Sequence, residues 1–198
     1  MKHAIIMVLL LFTGMLWSAV GCDLNDPDRD VRRLFPGSTG YKTTYRSLQR
    51  EGGTSLLNGI EKKLGDKFSG MYETIDVPYS LYEVFSGKNR IGWIHGVNQK
   101  GRYGGIQVFL VLDTKGVITD LYFQKLSSKN ARLYKDKAFT RQFVGLSLND
   151  FMQMNIVSGK GQGKAANIKD PTAGKDTDFL AILRGVKKNL VLMEHFSK

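Results

Sequence analysis

"GGIQVFLVLDTKGVITDLYFQKL", Gly104 to Leu126, is the stretch on which the fold turns. Ile106, Val108, Leu110 and Leu112 alternate with Gln107, Phe109 and Val111, the period of two that sends successive side chains to opposite faces of a strand. Both sets are largely apolar, so the strand is expected to be buried on most of both faces, and something must cover each side. The turn "DTKG" then offers Asp113 as its start and Gly116 at a position tolerant of positive φ, which makes "GVITDLYFQKL" the antiparallel partner.

The pattern extends upstream. "YSLYEVF" and "RIGWIHGV" are rich in aromatic and branched residues and flank the turn "SGKN", as a hairpin does. Before them, "TSLLNGIEKKLGDKF" sets Leu56, Leu57, Ile60 and Leu64 on one helical face, with Thr54 or Ser55 to start the helix and Gly65 to end it. Downstream, "KNARLYKDKAFTRQFVG" and "SLNDFMQ" read as short helices, the second capped by Ser147. The final segment places Phe179, Ile182, Leu183, Val186, Leu190, Met193 and Phe196 on one stripe, with Asp176 or Thr177 as its start. A helix, four strands and then helices imply an α+β fold: an antiparallel sheet of about four or more strands packed with helices, including a C-terminal amphipathic helix.

The N-terminus sets the compartment. A short basic start and the apolar run "AIIMVLLLFTGMLWSAV" read as an export signal over residues 1–21, ending in "SAVGC", where Cys22 stands at the position a bacterial lipoprotein signal lipidates. The other reading of the run is an uncleaved transmembrane helix. Cys22 is the only cysteine in 198 residues, which leaves no internal disulfide and favours lipid attachment. A cysteine carrying several acyl chains would anchor the protein at the membrane, facing the periplasm. In a Gram-negative host, Asp23 resembles a signal for retention in the inner membrane. Residues 22–40, with one short helical turn before Pro36, are expected to form the lipid-anchored tether, and 41–198 one domain.

The formal charge of +11 comes from 29 basic and 18 acidic residues scattered along the chain. Scatter and export argue against nucleic acid as a partner and leave anionic headgroups, an acidic protein or solubility alone as its use. His3, His95 and His195 have no metal-ligand spacing, and His95 reads as a hydrogen-bonded sheet residue. No Gly-x-Ser-x-Gly elbow occurs. "SGKGQGKA" approaches a phosphate-binding P-loop, but Ser158 replaces its first glycine and Ala165 its magnesium-binding hydroxyl.

From about Tyr79 to Phe151, the order "LYEVFSGKNRIGWIHGV", "GRYGGIQVFLVLDTKGVITDLYFQKL" and "FTRQFVGLSL" resembles the FMN-binding domain of periplasmic flavin subunits in Rnf-type and sodium-pumping quinone-reductase complexes. The resemblance implies that 41–198 is an FMN-binding-like domain and that the protein is an electron-transfer carrier or a subunit of a membrane redox complex rather than a stand-alone enzyme. In that family FMN is joined by a phosphoester to a threonine just before the last helix. At the matching place stands "DPTAGKDT", with Asp170 as the acid, Thr172, Ala173 and Gly174 in the middle, Thr177 as the attachment residue and Lys175, Lys164 and Lys169 to offset the charge of Asp176 and Asp178, although "GKDT" stands where the family has "GAT". "SSKNARLYKD" likewise replaces the family's Glu-Thr-Pro-Gly run. Thr177 is therefore either a flavin attachment point or, like Asp176, an N-cap. Without a covalent bond, Lys160 and Lys164 would contact the phosphate, while Trp93, Tyr103 and Tyr122 are available for ring stacking. The alternative keeps the fold without flavin: a lipoprotein that binds a partner or small ligand and supports an envelope complex.

Overall fold

A computed structural model describes residues 22–198; the expected signal peptide, 1–21, lies outside the described residues. Five strands, β1 (Gly40–Arg46), β2 (Tyr79–Ser86), β3 (Asn89–Lys100), β4 (Gly105–Leu112) and β5 (Ile118–Leu126), form one antiparallel sheet in chain order. Local turn chemistry explains that order. Gly87, at φ 58°, and Lys88 alone join β2 to β3, while Asp113 Oδ1 accepts from the Lys115 and Val117 amides and Gly116 turns at φ 77° between β4 and β5. β1 adds an unpredicted edge strand. Its sequence, GYKTTYR, carries branched and aromatic residues but no apolar alternation, because much of this edge strand faces solvent.

Seven α-helices surround the sheet among the described residues, and the fold is α+β. The face carrying Ile106, Val108, Leu110 and Leu112 packs against α3 (Gly53–Leu64) and α7 (Asp178–Phe196) in one large core. All seven residues of the expected α7 stripe are buried there. Gly65 ends α3 at φ 78°, as its position implied, and Ser147 with Asp150 forms a capping box at the start of α6 (Leu148–Met152).

The opposite face is covered by the segment expected as a tether. Residues 22–40 do not hang free: Cys22, Leu24 and Val31 are buried against Tyr82, Val84, Ile94, Phe109 and Val111. Pro27–Leu34 is α1, capped by Asp26, whose Oδ1 accepts from the Arg29 amide, with Asp28 and Asp30 at its positive end and Arg32 and Arg33 at its negative end. The Leu24 amide donates to the Tyr82 hydroxyl, and Gln124 holds Asp23 and Asn25 by their backbones. The apolar second face of β4 demanded a cover, and among the described residues this short strip supplies it.

α7 is also more enclosed than its stripe implied. Lys187, Lys188 and Asn189 are buried alongside the apolar residues. Lys188 is paired with Glu73 Oε1 at 2.7 Å, and Arg184 grips both oxygens of the same carboxylate at 2.6 and 3.0 Å. Burial opposes ionisation of Glu73, but these two cations outweigh it and hold its carboxyl below the usual range.

Candidate functional site

Three loops meet at the N-terminal end of α7: the β3–β4 turn, the chain leaving β5, and residues 168–178. Within the last, Asp170 organises its own neighbours. Its Oδ1 accepts from the Thr172 amide at 2.8 Å and the Thr172 hydroxyl at 2.7 Å, and its Oδ2 from the Gly174 amide at 2.8 Å. Those bonds wrap the chain through Ala173 at φ 53° and Gly174 at φ 80°.

The helix is then capped from its own chain. Asp176, not Thr177, supplies the side-chain cap: Asp176 Oδ1 accepts from the Asp178 amide at 3.0 Å, while Thr177 makes no capping bond and its side chain is exposed. Asp176 Oδ2 receives Asn130 Nδ2 at 2.8 Å and the Ser128 hydroxyl at 3.1 Å. Burial opposes its ionisation, yet these donors together hold the carboxyl below its ordinary range. Asp178 is fully buried; its Oδ1 accepts from the Arg102 amide at 2.7 Å, and its Oδ2 has no hydrogen-bond partner among the described residues. Gly101 is required for this approach, since a Cβ there would stand 2.8 Å from Asp178 Oδ1. Tyr103, half exposed, lies beneath the Arg102 guanidinium at 5.5 Å and the Lys129 ammonium at 5.1 Å.

A cleft of about 290 Å³ opens between Ser158, Asp170, Asp176, Thr177, Phe179 and Leu180. Asp170, Thr172, Gly174 and Thr177 are thus brought together, with Lys175 exposed beside them. Lys160, Lys164 and Lys175 do not line the cleft, and Lys164 instead acts on Asp150 at the start of α6. Trp93 lies elsewhere. It is buried beneath Arg90, 4.5 Å from ring centre to guanidinium, and lines a separate cleft with Leu190 and Met193. Thirteen residues of helix separate Thr177 from Leu190, about 20 Å at 1.5 Å per residue, so Trp93 cannot share a ligand ring with Tyr103 at this mouth. Tyr122 packs on the far face, stacked on Phe109 at 5.1 Å. His95 is the expected core residue, its Nδ1 2.8 Å from Asn189 Oδ1. Cys22 is buried with its Sγ toward Gly96 and Phe109, and burial pushes its thiol pKa up.

The residues missing from the sequence reading of this site are Arg102, Ser128, Lys129 and Asn130. Their signal was faint: "SSKN" is a run of small hydrogen-bonding residues between a strand and a helix, which by itself marks only a turn.

The donor set does not fit a phosphoester on Thr177. The helix end that would stabilise a phosphate is already met by Asp176 and Asp178, one residue to either side, and the nearest helix amide is spent on Asp176. Among the described residues no basic side chain lines the cleft, and the Arg102 cation that acts on Asp176 stands outside it. Neither a family model nor a curated protein matches the chain.

Proposed function

We propose that the chain is a membrane-anchored lipoprotein facing the periplasm, whose FMN-binding-like domain acts without flavin, holding a partner or small ligand in an envelope complex. The observation that carries this reading is the capping of the α7 N-terminus by Asp176, with the Asp178 carboxylate buried beside it on the Arg102 amide, at the place where the resembling family carries its flavin phosphate. The anchor rests on the export signal and on Cys22 directly behind it. A thioether-linked glyceride has no space beside Gly96 and Phe109, so in the lipidated chain Cys22 leaves this pocket while Leu24 and Val31 keep the cover on the sheet.

A second reading, an electron-transfer protein with FMN held non-covalently, is favoured by one feature. Tyr103 offers a half-exposed ring flanked by Arg102 and Lys129, a stacking face with two cations. Co-expression of the chain with a periplasmic flavin transferase separates the readings. The first expects colourless protein that does not bind added FMN. Yellow protein that loses its colour on denaturation supports the second, and fluorescence that survives denaturation but vanishes in Thr177→Ala overturns the first by establishing covalent flavin. Lipid labelling that persists in Cys22→Ser would remove Cys22 as the anchor.

A further inference from the structure

Lys187 and Lys188 are adjacent, both buried, and differently provided for. Lys188 has Glu73. Lys187 is 4 % exposed, and its only hydrogen-bond partner among the described residues is the Met154 carbonyl, at 3.0 Å. One of three ammonium donors is satisfied and none by an anion, an expensive state for a buried cation. Burial lowers the pKa of this group with no carboxylate opposing the shift.

The surroundings explain the missing counter-charge. Lys187 lines a cleft of about 350 Å³ between the C-terminal end of α3 and residues 152–157, together with Lys62 and Lys63, and no acidic residue lines it. Nearby carboxylates are engaged elsewhere: Glu61 with Lys67, Asp66 with Arg184, Glu73 with Arg184 and Lys188. Glu194 pairs with Lys63 from outside the cleft. Lys62 and Lys63 of α3 and Lys187 of α7 thus line one cleft with Lys63 alone neutralised, and such a wall suits an anion with several oxygens, for which lysine serves as a point-charge ligand. On the rim, Met152 and Val157 are apolar and exposed, Val157 by 71 %.

We infer that the cleft between α3, residues 152–157 and α7 is a phosphate-binding site, with Lys62 and Lys187 as its ligands and Lys63, held by Glu194, as part of its wall. It lies away from the α7 N-terminus and stands independently of the function proposed above. The phosphate belongs either to a phospholipid headgroup, whose acyl chain would lie along Met152 and Val157, or to a free phosphate.

The test is isothermal titration calorimetry of the full chain in a nonionic detergent, with inorganic phosphate and with dihexanoylphosphatidylglycerol as probes and dihexanoylphosphatidylcholine as the control for partition into micelles. Saturable binding of about one equivalent is expected, weakened at least about fivefold by Lys62→Gln and by Lys187→Met. Lys62 is a surface position, so its variant keeps the test valid if Lys187→Met disturbs the core. Tighter binding of phosphatidylglycerol than of phosphate, lost in Val157→Asp, assigns the lipid source; equal binding, indifferent to Val157→Asp, assigns the free one. The inference is overturned if neither probe saturates, or if Lys62→Gln leaves binding unchanged.

Discussion

Lowering the pH should destabilise this protein well before its carboxylates titrate, through His95. The ring is fully buried between Tyr79 and Phe196, with centroids 6.0 and 5.9 Å away. Asn189 Nδ2 donates to the carbonyls of His95 and Val108, which leaves Asn189 Oδ1 to accept from Nδ1–H of the imidazole. Nε2 then carries the lone pair and has no partner among the described residues. A proton added there would be a buried charge without a counter-ion, and burial accordingly lowers the His95 pKa from 6.5 to about 4. Because the folded pKa is the lower one, the unfolded chain binds more protons between these values. The contribution is fully present above pH 6.5 and is lost as the pH falls toward 4. Applying the two pKa values gives a loss of about 2 kcal/mol between pH 7.5 and pH 5. The assay is urea unfolding across that range with the slope m held constant. His195 shifts in the same direction through partial burial, so His195→Gln serves as the background. The window stops at pH 5 because Glu61, Glu73, Asp150 and Asp176, all held low, lose stability below it with the same sign. Stability that is flat over this window, or a pH slope that His95→Gln leaves intact, would refute the reasoning.

Removing the shared acid in Glu73→Ala should cost about 3–5 kcal/mol in urea unfolding, since it leaves Lys188 and Arg184 without their common anion. Gly96→Ala would place a Cβ 2.5 Å from Phe109 Cε1 and 2.9 Å from Cys22 Sγ. It should cost about 1–3 kcal/mol, and in chain lacking lipid it should speed the reaction of Cys22 with a thiol reagent; an unchanged rate would show that residues 22–24 do not rest on β3. Asp176→Ala removes the α7 cap and the acceptor for Ser128 and Asn130, so hydrogen exchange should quicken in the first turn of α7 and stability fall by about 1–2 kcal/mol. The same change at Thr177 should leave both nearly unaltered, because its side chain caps nothing.

Much of the fold was legible because it is written in local repeats. The period of two through Ile106 to Leu112 and the heptad-like spacing from Phe179 to Phe196 need no knowledge of neighbours, and the turns at Gly65 and Gly116 follow from backbone freedom at single residues, that at Asp113 from a side-chain acceptor within reach of the next amides. β1 was not legible, since an edge strand with a polar outer face has no apolar alternation. The candidate site was legible in part. Asp170 and Thr172 were named together because both fall in the one short motif that carries the resemblance, whereas Arg102, Ser128 and Asn130 reach the same place from distant loops.

The sequence by itself determined that β4 must be covered on both faces, that a long amphipathic helix closes the chain, and that an acid–threonine cluster precedes it. Only the tertiary structure decided which segment covers the second face, folding residues 22–35 where a tether was expected. It also separated Trp93 from Thr177 by much of a helix, chose Asp176 over Thr177 as the cap, and enclosed Lys187 without an acid beside Lys188 with one. The physical reason is common to all four. Periodicity reports what one element wants to bury, but the partner for a buried face or charge comes from whichever other element packs there.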